Sequence, residues 1–218
     1  MQNLSTALAH EHDMSRDPTT EERIFEAARR VFLQQGPQAR MQDVAKEAGI
    51  TQSLLHYYYR SRDRLFQAVF RKEASRLIPR EIGILNSDLS IEEKVETIVK
   101  DYLDFLLENP HLPPFVAYEI NYHPERLQEF VRSVGKPDLK KLGQQIGERV
   151  ASGTMKFIPP EQFLVNLLSL CIFPFMVCPM LQSVLEFDDK AFAGFIEERK
   201  RHLPEFFLNA LRSDAASP

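Results

Sequence analysis

A tight turn at Gly49 constrains the fold of this chain more than any other feature. The preceding segment, Met41–Ala48, carries apolar side chains at helical spacing. Glycine at its end can adopt a positive φ angle at little steric cost, which is a common way for a helix to end. Two residues later, Thr51 can accept a hydrogen bond from the first free N–H groups of a second helix as its N-cap. Two short helices joined by so tight a turn predict a helix-turn-helix.

The second of these helices is predicted to have one buried and one exposed face. Leu55 and Tyr59, four residues apart, would form the buried stripe. The other positions form an uncharged face of hydrogen-bonding and aromatic side chains: Gln52, Ser53, His56, Tyr57 and Tyr58. Arginines follow directly at positions 60, 62 and 64. Such a helix suits the major groove of DNA, with guanidinium groups at the flanking phosphates.

Charge is divided unevenly along the chain, although the net charge is −4. Residues 16–72 hold 11 Lys and Arg against 7 Asp and Glu, whereas residues 73–218 hold 16 against 22. A basic N-terminal segment on an acidic body fits phosphate binding at one end of the molecule.

The rest of the chain is also predicted to be helical. Glycine is scarce, with 8 in 218 residues, and no long run of strand-like alternation stands out. Capping boxes at Thr19–Glu22 and Ser90–Glu93 are predicted to start two helices. Ser61 is predicted to cap a third, about Arg62–Leu77, and Pro79 and the turn-like Asn86–Ser90 would mark the end of this linker. The expected fold class is all-α.

Three segments are expected along the chain. Residues 1–18 form a flexible arm, residues 19–66 a three-helix domain with the helix-turn-helix, and residues 67–218 a larger helical domain. The last helix is predicted to start at Asp188 or Asp189.

An apolar run near the C-terminus allows two interpretations. Residues 164–181 are long and apolar enough to be weighed as a membrane span. Two polar residues and two prolines, Pro174 and Pro179, interrupt the run. They favour one kinked helix inside a folded core, about Glu161–Leu185, and no membrane.

The two cysteines, Cys171 and Cys178, lie in this run. Seven residues apart on one helix, they would be roughly 10 Å apart along its axis, too far for a disulfide bond. Buried, reduced thiols fit a protein of the cytoplasm.

No motif points to an enzyme. The chain contains no phosphate-binding loop, no dinucleotide-binding glycine motif, no zinc-protease helix and no nucleophile elbow. Its six histidines are scattered, and its paired acids, Glu92–Glu93 and Asp188–Asp189, fit helix starts. We therefore expect no catalytic activity, no cofactor and no metal site.

Three groups of residues match a known family in their spacing. They are Ala-Lys-Glu-Ala-Gly-Ile-Thr (Ala45–Thr51), Leu-His-Tyr-Tyr-Tyr-Arg-Ser-Arg (Leu55–Arg62), and Leu65-Phe66. Over about residues 19–70 the chain resembles the DNA-binding domain of the TetR family of bacterial repressors. It differs from the usual pattern at three positions. Arg40 stands where the family usually has Thr or Ser, Leu54 where it has a small residue or Thr, and His56 where it has Tyr.

The resemblance implies a dimeric repressor that binds a near-palindromic operator in double-stranded DNA. Gln42 is a base-contact candidate on the strength of the resemblance. Arg40 would replace the missing cap hydroxyl with a charge-assisted phosphate contact, and Arg62 would meet a phosphate in the first turn of its helix. The complete set of predicted DNA-binding residues is Arg40, Gln42, Gln52, Ser53, His56, Tyr57, Tyr58 and Arg62.

The resemblance also implies two roles for the C-terminal domain. Its last two helices, about Pro160–Leu185 and Asp188–Leu211, would pair with those of a second copy. A small apolar or amphipathic ligand would bind within the domain and release the operator. The predicted lining residues are Tyr102, Phe105, Phe115, Tyr118, Tyr122, Leu167, Cys171, Phe175 and Met176. The same residues could instead simply fill a core.

A second function stays open at this point. The departures at Arg40, Leu54 and His56 would also suit a helical interaction or small-molecule-binding protein whose degenerate helix-turn-helix no longer recognises DNA. Salt dependence distinguishes the two, because binding driven by phosphate contacts weakens steeply as salt rises.

Overall fold

A computed structural model describes residues 17–36, 39–122 and 124–213. Within these ranges the chain forms eleven α-helices and, apart from one isolated bridge between Met155 and Arg212, no β-structure. The all-α prediction is confirmed. The helices are α1 Pro18–Gln35, α2 Met41–Ala48, α3 Gln52–Tyr58, α4 Arg62–Asn86, α5 Ile91–Glu108, α6 Leu112–Tyr122, α7 Pro124–Val134, α8 Leu139–Ala151, α9 Pro160–Met176, α10 Cys178–Leu185 and α11 Asp189–Leu211.

The helices divide into two compact units. Of the described residues, 17–32 and Ala39–Val69 form the N-terminal unit, and 33–36, 70–122 and 124–213 form the body. Helix α4 contributes residues to both. The predicted domain boundary between residues 66 and 67 falls within this helix. The predicted arm, residues 1–18, lies outside the described residues except for its last two.

Helix α1 is capped by Asp17. Its carboxylate accepts hydrogen bonds from the N–H groups of Thr19, at 3.0 Å, and Thr20, at 3.2 Å. A hydrogen bond from the Thr20 hydroxyl lowers the pKa of Asp17. Pro18 fits the first turn, where no N–H partner is required. The prediction that Thr19 starts this helix in a capping box is therefore wrong by two residues.

The turn between α2 and α3 has the predicted geometry. Gly49 has a φ angle of 65°, and the Thr51 side chain accepts a hydrogen bond from the Leu54 N–H at 3.2 Å. Behind the turn, Leu55 is fully buried, and the rings of Phe32 and Phe66 pack edge to face with centroids 5.3 Å apart. These contacts hold α1, the two short helices and the start of α4 in one small core.

Helix α4 does not end at Pro79, as predicted, but continues to Asn86. A proline within a helix removes one hydrogen bond, here the bond to the carbonyl of Ser75. Both Pro79 and Ser75 are exposed, so that carbonyl can bond to water instead. The prediction failed because an exposed proline destabilises a helix less than a buried proline does.

Helix α5 lies at the centre of the body and packs against α8, α9 and α11. Its N-terminus has the predicted capping box, in which Ser90 accepts from the Glu93 N–H at 3.2 Å and donates to the Glu93 carboxylate. One turn on, the fully buried Lys94 ammonium donates to the Leu85 carbonyl at 2.9 Å and to Gln145 Oε1 at 2.6 Å. Burial lowers the pKa of this lysine. These bonds tie the end of α4 and α8 to α5.

The predicted single helix over Glu161–Leu185 is two helices, α9 and α10, bent by 69° at a break after Met176. In the described residues no single helix is long and apolar enough to cross a membrane, although this bent pair passes the same test when taken together. Cys171 and Cys178 are both free thiols, as predicted, but only Cys171 is buried and Cys178 is half-buried. Burial raises the pKa of Cys171 to about 12.

An arginine compensates for the proline inside α9. Pro174 has no N–H, so the carbonyl of Leu170 loses its helical partner. Arg199 of α11 supplies a replacement, donating from Nε at 3.2 Å and from Nη2 at 2.9 Å to that carbonyl. This half-buried guanidinium therefore joins α11 to α9 at the point where the helix is weakest.

Candidate nucleic-acid interface and ligand cavity

Helices α2 and α3 present one exposed polar surface. The predicted DNA-binding residues on that surface are Arg40, Gln42, Gln52, Ser53, His56 and Tyr57, and all six are exposed. Tyr57 is the most unusual of them, because 44% of this large aromatic side chain is accessible. Side chains that donate and accept hydrogen bonds, next to an aromatic ring, can contact both base edges and phosphates.

Tyr58 does not belong to this surface, and its predicted exposure is wrong. Only 6% of it is accessible, and its hydroxyl accepts a hydrogen bond from the N–H of Asp17 at 3.0 Å. Tyr59, predicted to be buried, is half-buried and donates to Glu21 at 3.4 Å. The two roles are exchanged because α3 ends at Tyr58 and Tyr59 is already extended, with φ of −129°.

Arg62 holds the N-terminal unit together. Its Nε donates to the carbonyl of Ala39 at 2.8 Å, and its guanidinium carbon lies 5.6 Å from the centre of the Phe32 ring. The side chain is 29% exposed. A phosphate contact predicted for Arg62 would have to be made by a guanidinium that already fixes the segment before α2.

Other cations surround the exposed surface. Lys46, Arg60 and Arg64 are all exposed. With Arg40, they give the N-terminal unit cationic side chains on both sides of the turn. Exposed cations next to an uncharged polar helix are what binding to a phosphate backbone requires.

The body contains an apolar cavity of about 210 Å³. It lies between α4, α5, α6 and α9 and includes Tyr102, Phe105 and Met176, three of the predicted ligand-binding residues. The remaining lining residues are Phe70, Ala74, Leu77, Ile78, Leu106, Leu112, Pro113, Val116, Ala117, Ile120 and Ile172. We refer to it below as the apolar cavity.

The other predicted lining residues lie elsewhere. Leu167, Cys171 and Phe175 are at most 2% exposed and fill the core on the neighbouring face of α9. Tyr118 and Tyr122 are on the surface, 36% and 66% exposed, with ring centroids 4.5 Å apart. These five predictions of cavity-lining residues are therefore wrong. The side chain of Phe115 lies outside the described residues.

Sequence reasoning missed Glu81, which is 7% exposed on α4. Neither oxygen of its carboxyl group has a hydrogen-bond partner in the described residues. Burial, and secondly the charge of Asp101, raise the pKa of Glu81 to about 8, against the opposing effect of Arg80. The signal was present in the sequence, because Glu81 continues the apolar stripe of Ala74 and Leu77 at helical spacing.

Comparison with known families identifies the N-terminal unit. Residues 24–69, which span the turn and most of α1, match the model of the bacterial regulatory proteins of the tetR family.

Residues 24–69 belong to the TetR family.

Individual TetR relatives match only parts of the chain in sequence. An uncharacterized HTH-type transcriptional regulator of Pseudomonas putida, TtgW, is 36% identical over 86 residues, or 39% of this chain and 61% of TtgW. The chain thus spans less than two thirds of that relative. The fatty acid metabolism regulator protein of Bacillus subtilis is 20% identical over 134 residues, which cover 61% of this chain and 69% of the relative.

The fold extends the similarity to nearly the whole chain. The structure of the fatty acid degradation regulator FadR from Bacillus halodurans aligns with a TM-score of 0.60 and covers 89% of this chain and 97% of its own. At 16% sequence identity, this likeness establishes a shared fold.

The three departures from the usual TetR pattern have different structural settings. Arg40 precedes α2 without capping it through its side chain, since a guanidinium has no acceptor. Instead, the Asp43 carboxylate accepts from the Arg40 N–H at 3.3 Å. Leu54 is half-buried, and His56 is exposed. None of the three distorts the turn, so the helix-turn-helix geometry survives all of them.

Proposed function

We propose that the chain is a ligand-responsive TetR-family transcriptional regulator, most simply a repressor, that binds a near-palindromic operator as a homodimer. The observation that carries this proposal is the intact turn from Gly49 to Thr51 with an exposed, polar and uncharged α3 surface flanked by arginines. Catalytic activity forms no part of the proposal. The protein would act in the cytoplasm, where its operator and its reduced thiols belong.

In this proposal, Gln52 and Tyr57 of α3 and Gln42 of α2 contact bases. Glutamine can pair with the adenine edge in the major groove, and a tyrosine hydroxyl can reach a base or a phosphate. Arg40, exposed before α2, contacts a phosphate. A single α3 of seven residues makes few contacts, which is why two copies on a two-fold site are required.

Exposed apolar side chains support a dimer through the last helices. Residues on α9, α10 and α11 are between 46% and 71% exposed although they are large and apolar: Val165, Phe173, Met180, Val184, Leu185 and Phe206. Large apolar side chains left exposed in a folded protein are typical of surfaces that bind another protein. The last two predicted helices, now α9–α10 and α11, would supply it.

The apolar cavity is the proposed ligand site. Phe70, Ala74, Leu77 and Ile78 of α4 line it, and the same helix begins at Arg62 in the N-terminal unit. A ligand that favours one position of α4 would thus favour one spacing of the two α3 helices in a dimer. Ligand binding would then release the operator by shifting the population of dimers.

The deciding experiment is selection of bound duplexes from a random pool at two salt concentrations. We expect a palindromic sequence at both, with an affinity that falls as salt rises. Gln52→Ala should weaken binding to that sequence by about 1–3 kcal/mol, whereas Gln128→Ala, at an exposed position on α7, should not. If no sequence is enriched, the chain is a helical interaction protein with a helix-turn-helix that no longer recognises DNA.

A matched pair of variants tests the proposed dimer interface. Phe206→Glu on α11 should convert the dimer to a monomer in sedimentation velocity and abolish operator binding. Tyr122→Glu places the same charge at an equally exposed aromatic position on α6, 66% against 64% exposed, and should change neither. A monomeric wild type, or a Phe206→Glu variant that stays dimeric, would contradict the proposed interface.

A further inference from the structure

Glu81 lies next to the apolar cavity. Leu77 and Ile78, which line the cavity, precede it by about one turn of α4, or about 5.4 Å of helix axis. Tyr102 of α5 connects the two regions, because its side chain lines the cavity and the charge of Glu81 raises the pKa of its phenol, after the larger effect of burial. The same charge contributes to the raised pKa of Cys171 on α9. Glu81 therefore continues the face of α4 that lines the cavity, one turn beyond Leu77 and Ile78.

When Glu81 is ionised, its neighbourhood carries an excess of negative charge. Asp101 is the second carboxyl group, and its Oδ2 lies 2.6 Å from Arg80 Nη2 in an ion pair without hydrogen-bond geometry. Arg80 is thus already engaged, with 63% of its side chain in solvent. Arg199, on the far side of Cys171, donates to the Leu170 carbonyl. Among the described residues, one of the two carboxyl groups therefore has no positive partner of its own.

A buried carboxyl group with two unpartnered oxygens requires an explanation, because such groups destabilise a fold. A bound cation would supply the missing partner. Tyr102, Phe105 and Phe70 line the cavity with aromatic rings, and aromatic faces attract ammonium groups. A carboxylate ligand would instead add a third negative charge to a site of low dielectric.

We propose that the apolar cavity binds a compact cationic amphiphile, with its apolar part between α4, α5, α6 and α9 and its ammonium group at Glu81 and Asp101. This assignment rests on the proposed function only in taking the cavity as the ligand site. A volume of about 210 Å³ is below the usual range for drug-sized ligands, roughly 300–1,000 Å³, so the apolar part is a short chain or a single ring system.

Binding of such a ligand depends on pH in a defined direction. With its pKa near 8, Glu81 is largely protonated at neutral pH in the empty protein, and a cation binds its ionised form. Affinity therefore rises as pH increases through this value, and binding releases a proton. Asp101, Arg80, Tyr102 and Cys171 are the other charged or titratable groups that act on this carboxyl. Burial raises the pKa of Tyr102, so it stays neutral across the range.

The test compares three probes that each carry one linear chain of seven or eight alkyl carbons, on the complete protein without DNA. Octyltrimethylammonium, octanol and octanoate are titrated by calorimetry well below and well above the pKa of Glu81. We expect the cation to bind more tightly than octanol above that pKa, with proton release, and octanoate to bind most weakly. In Glu81→Gln, the affinity for the cation should fall by at least about tenfold, the low end for loss of a desolvated charge pair. Octanol affinity should be unchanged.

Glu73→Gln is the matched control, since Glu73 is a glutamate on the same helix, 2% exposed, with a partner in Arg76 at 3.4 Å. It should leave all three affinities as they are.

Tighter binding of octanoate than of the cation would overturn the assignment, as would equal affinity of the cation for wild type and Glu81→Gln. Octanol binding without any preference for the cation would remove the cation site but keep the ligand cavity. If none of the probes binds, the cavity is not an amphiphile site, and both this inference and the ligand part of the proposed function are wrong. The pH dependence of cation affinity is measured on the wild-type protein, so it tests the proposal even if Glu81→Gln does not fold.

Discussion

The stabilising effect of Arg199 should depend on the presence of Pro174. The guanidinium makes two hydrogen bonds, of 3.2 and 2.9 Å, to the Leu170 carbonyl that Pro174 leaves without a helical partner. In Pro174→Ala, residue 174 regains an N–H group, and α9 can satisfy that carbonyl itself. Replacing Arg199 in that background would then lower the free energy of unfolding much less.

The magnitude follows from the chemistry of the orphaned carbonyl. Removing the donor with Arg199→Met keeps most of the apolar stem and leaves a part-buried acceptor without its donor. The loss of stability should be at most the roughly 1–3 kcal/mol of a fully buried unsatisfied group. In the Pro174→Ala background that penalty disappears, and only the packing of the half-buried side chain is lost. We therefore expect a coupling energy of about 1–2 kcal/mol between the two positions.

The measurement is a double-mutant cycle by urea unfolding, followed by far-ultraviolet circular dichroism at one fixed protein concentration, because a dimer makes stability depend on concentration. The direct effect of Pro174→Ala, including its lost buried contacts, cancels in the cycle. If Arg199→Met costs the same in both backgrounds, within the roughly 0.3–0.5 kcal/mol expected of independent sites, the compensation does not exist.

Four further predictions concern other parts of the fold. Gly49→Ala should destabilise the N-terminal unit by about 1–2 kcal/mol in thermal unfolding, because φ is 65° there. Lys94→Met should cost about 1–3 kcal/mol in urea unfolding, since it leaves the Leu85 carbonyl without its donor. Leu167→Ala should lower the free energy of unfolding by about 2–5 kcal/mol, because it leaves a hole in the core. Octanol affinity should not change, because Leu167 does not line the apolar cavity. Because burial raises the pKa of Glu81 from 4.5 to about 8, the folded state holds a proton that the unfolded state loses between these values. The free energy of unfolding should therefore fall as pH rises through this window, and Glu81→Gln should abolish the fall.

Each of these has a control or a result that would contradict it. Gly147→Ala, in α8 with open space around the new methyl group, should stabilise by about 0.5–1 kcal/mol. Unchanged stability of Lys94→Met would show that its two hydrogen bonds only offset the burial of the charge. Ile172→Ala, inside the apolar cavity, should change octanol affinity where Leu167→Ala does not. Glu73→Gln should keep the wild-type pH dependence.

Local signals predicted the fold well where one residue decides the backbone. Gly49, Thr51 and Ser90 each act on neighbours within four residues, so their roles can be read from the sequence. Asp17 shows the limit of such reasoning, because it and Thr19 are both good caps and only the structure shows which one is used. Long-range pairing, such as that of Arg199 with Leu170 across two helices, leaves no local trace.

The site could be predicted only in part, because helical phase must be known to within one residue. On α9, Leu167 and Cys171 face the core while Ile172 and Met176, a single residue further round, line the cavity. In the short α3, one residue of uncertainty at the end was enough to exchange Tyr58 and Tyr59. Composition identifies apolar positions, but only packing shows which of two apolar faces borders empty space.

The unpartnered carboxyl group of Glu81 has a consequence for laboratory evolution. A selection that rewards heat resistance alone would favour apolar substitutions at this position, because they remove a desolvated acid from the interior. In the proposed function, the resulting proteins would unfold at a higher temperature and would still bind the operator, but they would no longer respond to a cationic inducer. Genetic circuits built on such variants would stay switched off however much inducer was supplied.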